Sequence, residues 1–224
     1  TFEYETLSSG LAAVWARENT RAGIFNAMQK KETYATTGTR IVVRFFGGWD
    51  YAQDDAYRPD AVSIGYDKGV PMGGDLPPRG KAKAPVFMVG AAKDPWAANL
   101  DRIQSVKGWV DSKGERQERI YDVTVAGDRT IDKDCRAREP VGDTVDVKNA
   151  TFLNNIGAAE MRVVWTDPDF DPKLPAVYYA RVLEIPTPTW QAFDMAYFGN
   201  EMPAEVPRKH QERAYTSPIW YTPQ

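Results

Sequence analysis

"LDRIQSVKGWVDSKGERQERIYDVTV", residues 100–125, settles the class of fold. Its two arms, Leu100–Val110 and Gln117–Val125, flank "DSKGER", a polar turn whose glycine can take the positive φ that a tight reversal needs. In the first arm Ile103, Ser105 and Lys107 alternate with Gln104, Val106 and Gly108. In the second, Ile120, Asp122 and Thr124 alternate with Tyr121, Val123 and Val125. A period of two places successive side chains on opposite faces, so the segment reads as a β-hairpin. Similar short runs lie on either side of it. Arg40–Phe46 ("RIVVRFF") and Pro85–Ala91 ("PVFMVGA") are rich in β-branched and aromatic residues. Met161–Trp165 and Ala176–Ile185 read as a further pair around an Asp/Pro loop. Short strands at regular spacing from about residue 40 to 185 predict a mainly β, antiparallel, sandwich-like domain.

Composition agrees. The 224 residues are 42% hydrophobic, enough for a sizeable core. Seventeen glycines and sixteen prolines supply turns, and seven Trp with eleven Tyr suit the wide packing surfaces of sheets. A net charge of −3 offers no electrostatic footprint for nucleic acid. No apolar run reaches the roughly 20 residues that cross a bilayer as a helix. One cysteine, Cys135, rules out an internal disulfide framework. The sequence opens on Thr1, so the expectation is a chain that is processed or cut from something longer.

The best helix lies near residues 20–31. Asn19 and Thr20 offer an N-cap, Ile24, Phe25, Ala27 and Met28 share a stripe, and Lys30 and Lys31 favour the carboxy-terminal end. Thr33–Thr37 reads as a turn. From Pro186 to Gln224 prolines and aromatics recur with little periodicity, which predicts a tail wrapping over the domain.

Few residues invite chemistry. His210 stands alone in "PRKHQER", so a His/Cys zinc site cannot be built and a solvated surface histidine is the better reading. No G-x-S-x-G elbow presents a serine to it. Cys135, in "DKDCRARE", has no local base and reads as a free surface thiol. "GGDLPPRGK" departs from a phosphate-binding loop in its glycine spacing, in Ala82 and in its two prolines. In "TDPDFDP", Asp167, Asp169 and Asp171 alternate as calcium ligands do, without the glycine and the closing glutamate of such loops. Glu3, Glu5, Asp54, Asp55 and Asp60 are scattered acids. Trp96, Trp109 and Trp190 could stack on a sugar, although partly buried core is the commoner fate of tryptophan.

Longer stretches carry a resemblance. "GLAAVWARENTRAGIFNAMQKKETYATTGTRIVVRFFGGW", "GVPMGGDLP", "KDPWAANLDRIQSVKGWVD", "VWTDPDFDP", "YYARVLEIPTPTW" and "QERAYTSPIWY" are similar to the bacterial domain of unknown function family DUF3604. That family is allied to the polymerase-and-histidinol-phosphatase (PHP) superfamily of metal-dependent hydrolases. The resemblance implies a longer, phosphoesterase-like parent holding divalent zinc, manganese or iron. It implies a His-x-His and an Asp-Ser-His upstream of Thr1, and neither motif occurs in this chain. No metal ligand, catalytic residue or cofactor-binding residue therefore carries over. Residues 1–45 then read as the closing helix and strand of a PHP-type α/β barrel, 46–185 as the β-domain and 186–224 as the wrapping tail. The implied partner is the missing amino-terminal barrel, with an oligomer also open, and the implied location is periplasmic or secreted. The reading from another class is a ligand-binding β-sandwich for glycan or calcium, without catalysis.

Overall fold

The computed structural model describes residues 10–223. Their strands and helices are, in chain order, β1 Leu11–Val14, α1 Arg21–Gln29, β2 Thr33–Thr36, β3 Val42–Gly48, α2 Ala61–Lys68, β4 Gly69–Pro71, β5 Val86–Ala92, β6 Leu100–Val110, β7 Arg116–Val125, β8 Val145–Asp146, β9 Thr151–Phe152, β10 Glu160–Thr166, β11 Ala176–Glu184, β12 Thr187–Pro188, α3 Trp190–Phe198, β13 Lys209–His210, β14 Arg213–Thr216 and β15 Ile219–Tyr221. A 3₁₀ turn, Asp55–Tyr57, precedes α2. None of these helices is long and apolar enough to cross a membrane.

Two antiparallel sheets carry the fold. The larger has seven strands in the order β1-β2-β14-β11-β6-β7, with β15 also on β11, and the smaller has the order β10-β5-β3-β4. The hairpin read from residues 100–125 forms as β6–β7, reversing at Gly114 with φ 82° while Asp111 accepts the Lys113 and Glu115 amides. Between the sheets, Val43 and Phe45 of β3 and Phe87 and Val89 of β5 meet Ile103, Tyr121, Tyr178 and Val182. The Phe87 ring lies 5.4 Å from Phe45 and 4.5 Å from Tyr178, joining the sheets through aromatic contact. The smaller sheet is covered on its other face too. Phe46, Met88 and Val164 pack there against Tyr51, Ala56 and Ile64. That double burial explains why "RIVVRFFGG" lacks a clean polar face.

Several elements depart from the sequence reading. Thr33–Thr36 is a strand, paired antiparallel with both β1 and β14. The strand after the opening helix, expected to close a barrel, is thereby part of the large sheet. Residues 161–165 and 176–185 do not pair with each other, because β10 lies on β5 and β11 on β6, β14 and β15. The Asp/Pro loop between them carries the chain from one sheet to the other. The expected wrapping tail supplies β14 to the middle of the large sheet. It also holds α3, whose Thr189 accepts from the Ala192 amide and whose Gly199 ends the helix at φ 65°.

"GGDLPPRGK" is structural. Gly73 (φ 88°) donates to the Pro218 carbonyl, and Leu76 and Trp220 tie the loop to β15. A Cβ on Gly73 would sit 2.3 Å from the Lys31 carbonyl oxygen, just past α1. Gly73→Ala therefore combines a disfavoured φ with a backbone clash. It is expected to cost on the order of 2–3 kcal/mol in urea unfolding, and a loss under about 0.5 kcal/mol would contradict this packing.

Candidate functional site

The aspartate loop carries three carboxylates, Asp167, Asp169 and Asp171, whose alternation resembles that of calcium ligands. They do not converge. Asp167 points inward, where its Oδ2 accepts from Lys107 Nζ at 2.6 Å and from Tyr178 Oη at 2.7 Å. Asp169 is half exposed and pairs outward with Arg119 at 2.8 Å and with Tyr121 Oη at 2.9 Å. Asp171 is exposed and accepts from the Lys173 amide. Lys107 Nζ, also bonded to the Asp169 carbonyl at 2.8 Å, stands where a cation would have been sought. A side-chain ammonium thus fills the loop, and burial beside Asp167 pushes the Tyr178 hydroxyl strongly up.

The other candidates are scattered. Cys135 is half-buried at the rim of the core, and burial raises its thiol pKa despite nearby Arg119, so it is not the surface thiol expected. Asp55 is buried and holds Lys68 at 2.7 Å, which with the Ala52 amide lowers its pKa. Asp54 and Asp60 are exposed, and Glu3 and Glu5 lie outside the described residues. Trp109 and Trp190 are half-buried, whereas Trp96 is 93% exposed, against the expectation of core. Its loop is held by Asp94, whose carboxylate accepts from the Trp96 and Arg40 amides.

A more coherent grouping appears at the end of the sandwich where that loop lies. Four of the stretches quoted above meet there: "TYATTGTR" brings Thr37 and Thr39, "KDPW" brings Asp94, "ARVLEIP" brings Glu184 and "HQERAY" brings His210 and Glu212. The Glu184 amide donates to the Glu212 carbonyl at 2.9 Å, and Arg213 N donates to Thr37 Oγ1 at 2.9 Å. His210 is not simply solvated. Its Nε2 lies 3.1 Å from Glu212 Oε1, while Thr37 donates to the other carboxylate oxygen. These bonds hold Glu212 below the usual carboxylate range, with His210 the larger cause.

Glu184 behaves in the opposite way. It is fully buried, and neither carboxylate oxygen has a hydrogen-bond partner among the described residues. The Thr39 hydroxyl and the Ala98 amide lie close enough to ease its charge, but not at hydrogen-bond geometry. Burial, aided by the charges of Glu212 and Asp94, pushes its pKa up to about 7. Environment thus shifts the two acids in opposite directions, Glu212 down and Glu184 up. The grouping is not a metal cage, since no three His, Cys, Asp or Glu side chains converge on one point among the described residues.

Sequence reading passed over Glu184 and Glu212. The readable signal was parity. In "AVYYARVLE", Glu184 falls on the same face as Tyr178, Ala180 and Val182, an acid at an inward position.

The chain matches, over residues 1–223, the family described as protein of unknown function (DUF3604). No curated protein and no solved structure matches it. On a match of that extent, the chain belongs to the DUF3604 family.

Proposed function

We propose that this chain is the carboxy-terminal, β-sandwich portion of a phosphoesterase-like metal-dependent hydrolase of the PHP type. Its catalytic metals are held by sequence upstream of Thr1. The sandwich docks against that catalytic portion and shapes its site. The observation that carries this reading is the outer face of α1. Phe25 and Met28 stand 56% and 58% exposed although they belong to the helix's apolar stripe, and such a patch is a contact surface. A single histidine, too few for a His-rich cage within this chain, fits metals held elsewhere. The metals would supply a hydroxide nucleophile and polarise the scissile group. This chain's own residues would do neither.

The test compares the 224-residue chain with the longer polypeptide, using bis(4-nitrophenyl) phosphate with added zinc or manganese. Turnover is expected from the longer protein alone. Metal-dependent turnover by this chain, abolished by changes within it, would overturn the proposal. The double change Phe25→Ser with Met28→Ser is expected to shift the isolated chain by less than about 0.5 kcal/mol, since exposed positions are tolerant. In the longer protein it should lower the melting temperature by several degrees. Equal effects in both would remove the docking role from α1.

A second reading, a glycan-binding sandwich, draws on Trp96, whose ring is open enough to stack on a sugar. A glycan array on which wild type and Trp96→Ala behave alike would dispose of it.

A further inference from the structure

The apolar stripe of α1 is split, with Ala27 buried and Ile24 half-buried but Phe25 and Met28 exposed. Gly23, Asn26, Ala27 and Lys30 recur at helical spacing along one cavity, with Asn26 and Lys30 still exposed. Side chains as small as those of Gly23 and Ala27 do not fill the space beneath the helix. What remains is a cavity of 710 Å³, within the size range of small-molecule sites. Its walls come from the exit of β1 (Trp15, Arg17, Glu18), from α1, from Glu32 at the start of β2, from Arg44 of β3 and from Tyr66 of α2.

Its floor is already ordered. The Arg44 guanidinium lies 3.5 Å from the centre of the Trp15 ring, and the Trp15 indole donates to the Val43 carbonyl at 2.9 Å. Arg44 Nη1 donates to Tyr66 Oη at 3.0 Å and sits 3.5 Å from Glu32 Oε1, and Tyr66 donates in turn to Glu32. Glu32 is buried, so this one contact both neutralises it and fixes the guanidinium. Among the described residues no acceptor is bonded to Arg44 Nε or Nη2. That leaves free an edge of the fork that carboxylates and phosphates engage in bidentate fashion. Above it stand Arg17 and Lys30, exposed and without an ion pair among the described residues. Of the two acids in the lining, Glu32 is committed to Arg44 and Glu18 accepts from the Thr20 hydroxyl. In a chain of net charge −3, this is a cavity with spare positive charge.

We propose that the cavity beneath α1 binds a small organic oxyanion, a carboxylate or a phosphate ester. Its anionic group seats on the free edge of Arg44, with Arg17 and Lys30 above it. The volume exceeds what a bare inorganic ion fills, and Asn26 with Tyr66 supplies polar partners for the rest of the molecule.

Isothermal titration of the chain with citrate, glucose 6-phosphate and inorganic phosphate, with glucose as the uncharged control, tests it. At least one organic oxyanion is expected to bind one to one, more weakly at high salt, with glucose silent. Arg44→Lys keeps the charge but loses the fork and should weaken binding roughly tenfold. The double change Arg17→Ala with Lys30→Ala, both on the surface, should weaken it several-fold at unchanged melting temperature. Silence from every probe, a response to inorganic phosphate alone, equal binding of glucose, or wild-type affinity in both variants would each overturn the proposal.

Discussion

Replacing Lys107 by methionine is expected to lower stability by about 3–5 kcal/mol, read as a shift of the urea midpoint. The methionine matches the lysine stem but removes the ammonium. Asp167, whose side chain is wholly buried, would keep only Tyr178 as a side-chain donor to Oδ2 and would hold an uncompensated charge. The asymmetry of buried pairs predicts a second result. Lys107→Met combined with Asp167→Asn should be less destabilised than Lys107→Met alone, because the stranded charge goes with its partner. The Asp167 amide donates separately to the Pro85 carbonyl, so the loop backbone keeps its own anchor. A loss below about 1 kcal/mol for Lys107→Met would show that the loop between the two sheets is not pinned by this contact.

The second large effect is one of pH. The Glu184 carboxyl binds its proton more tightly folded, near pH 7, than at its usual value of 4.5. A group of this kind stabilises fully below 4.5 and loses that contribution as pH rises through 7. The folded state should therefore weaken between those limits by on the order of 3 kcal/mol from this group. Glu212 and Asp94 are shifted the other way, so their contributions are lost only as pH falls below the ordinary carboxylate range. Within the interval from 4.5 to 7, the difference between wild type and a Glu184 variant therefore reads this group. Glu184→Gln mimics the protonated acid and should flatten the melting-temperature profile there, leaving the variant more stable than wild type at pH 8. Parallel profiles for the two proteins would show that Glu184 does not carry the linkage.

The hairpin 100–125 and the helix near 20–31 were legible because each rests on local signals, alternation around a glycine turn and a Thr cap followed by a helical stripe. The strand Thr33–Thr36 was not, since nothing within "TYATTG" announces that its neighbour lies far along the chain. α3 had two readable ends, Thr189 and Gly199, but the prolines around it masked the 3.6-residue rhythm. The aspartate loop misled for a physical reason. Alternating carboxylates announce a cation, and sequence alone does not say that a lysine sixty residues away supplies it. The cavity under α1 was hidden because its walls come from five separate stretches, around Trp15, along α1, at Glu32, at Arg44 and at Tyr66, which no local pattern links.

The position of β14 sets an order of events as the chain is made. The first strands join the large sheet only through β14, and the hydroxyls of Thr33 and Ser217, 184 residues apart, meet at 2.9 Å. At ordinary elongation speeds, roughly 5–20 residues per second, β1 and β2 wait on the order of ten seconds or more on the ribosome without their partner. Through that interval Thr33–Thr36 offers an unpaired backbone edge, the kind that recruits neighbouring chains. Final closure of the sheet depends on a long-range encounter, which is slow. Expression slowed at low temperature, or chaperones able to hold that edge, should raise the yield of folded protein more than any substitution in the core.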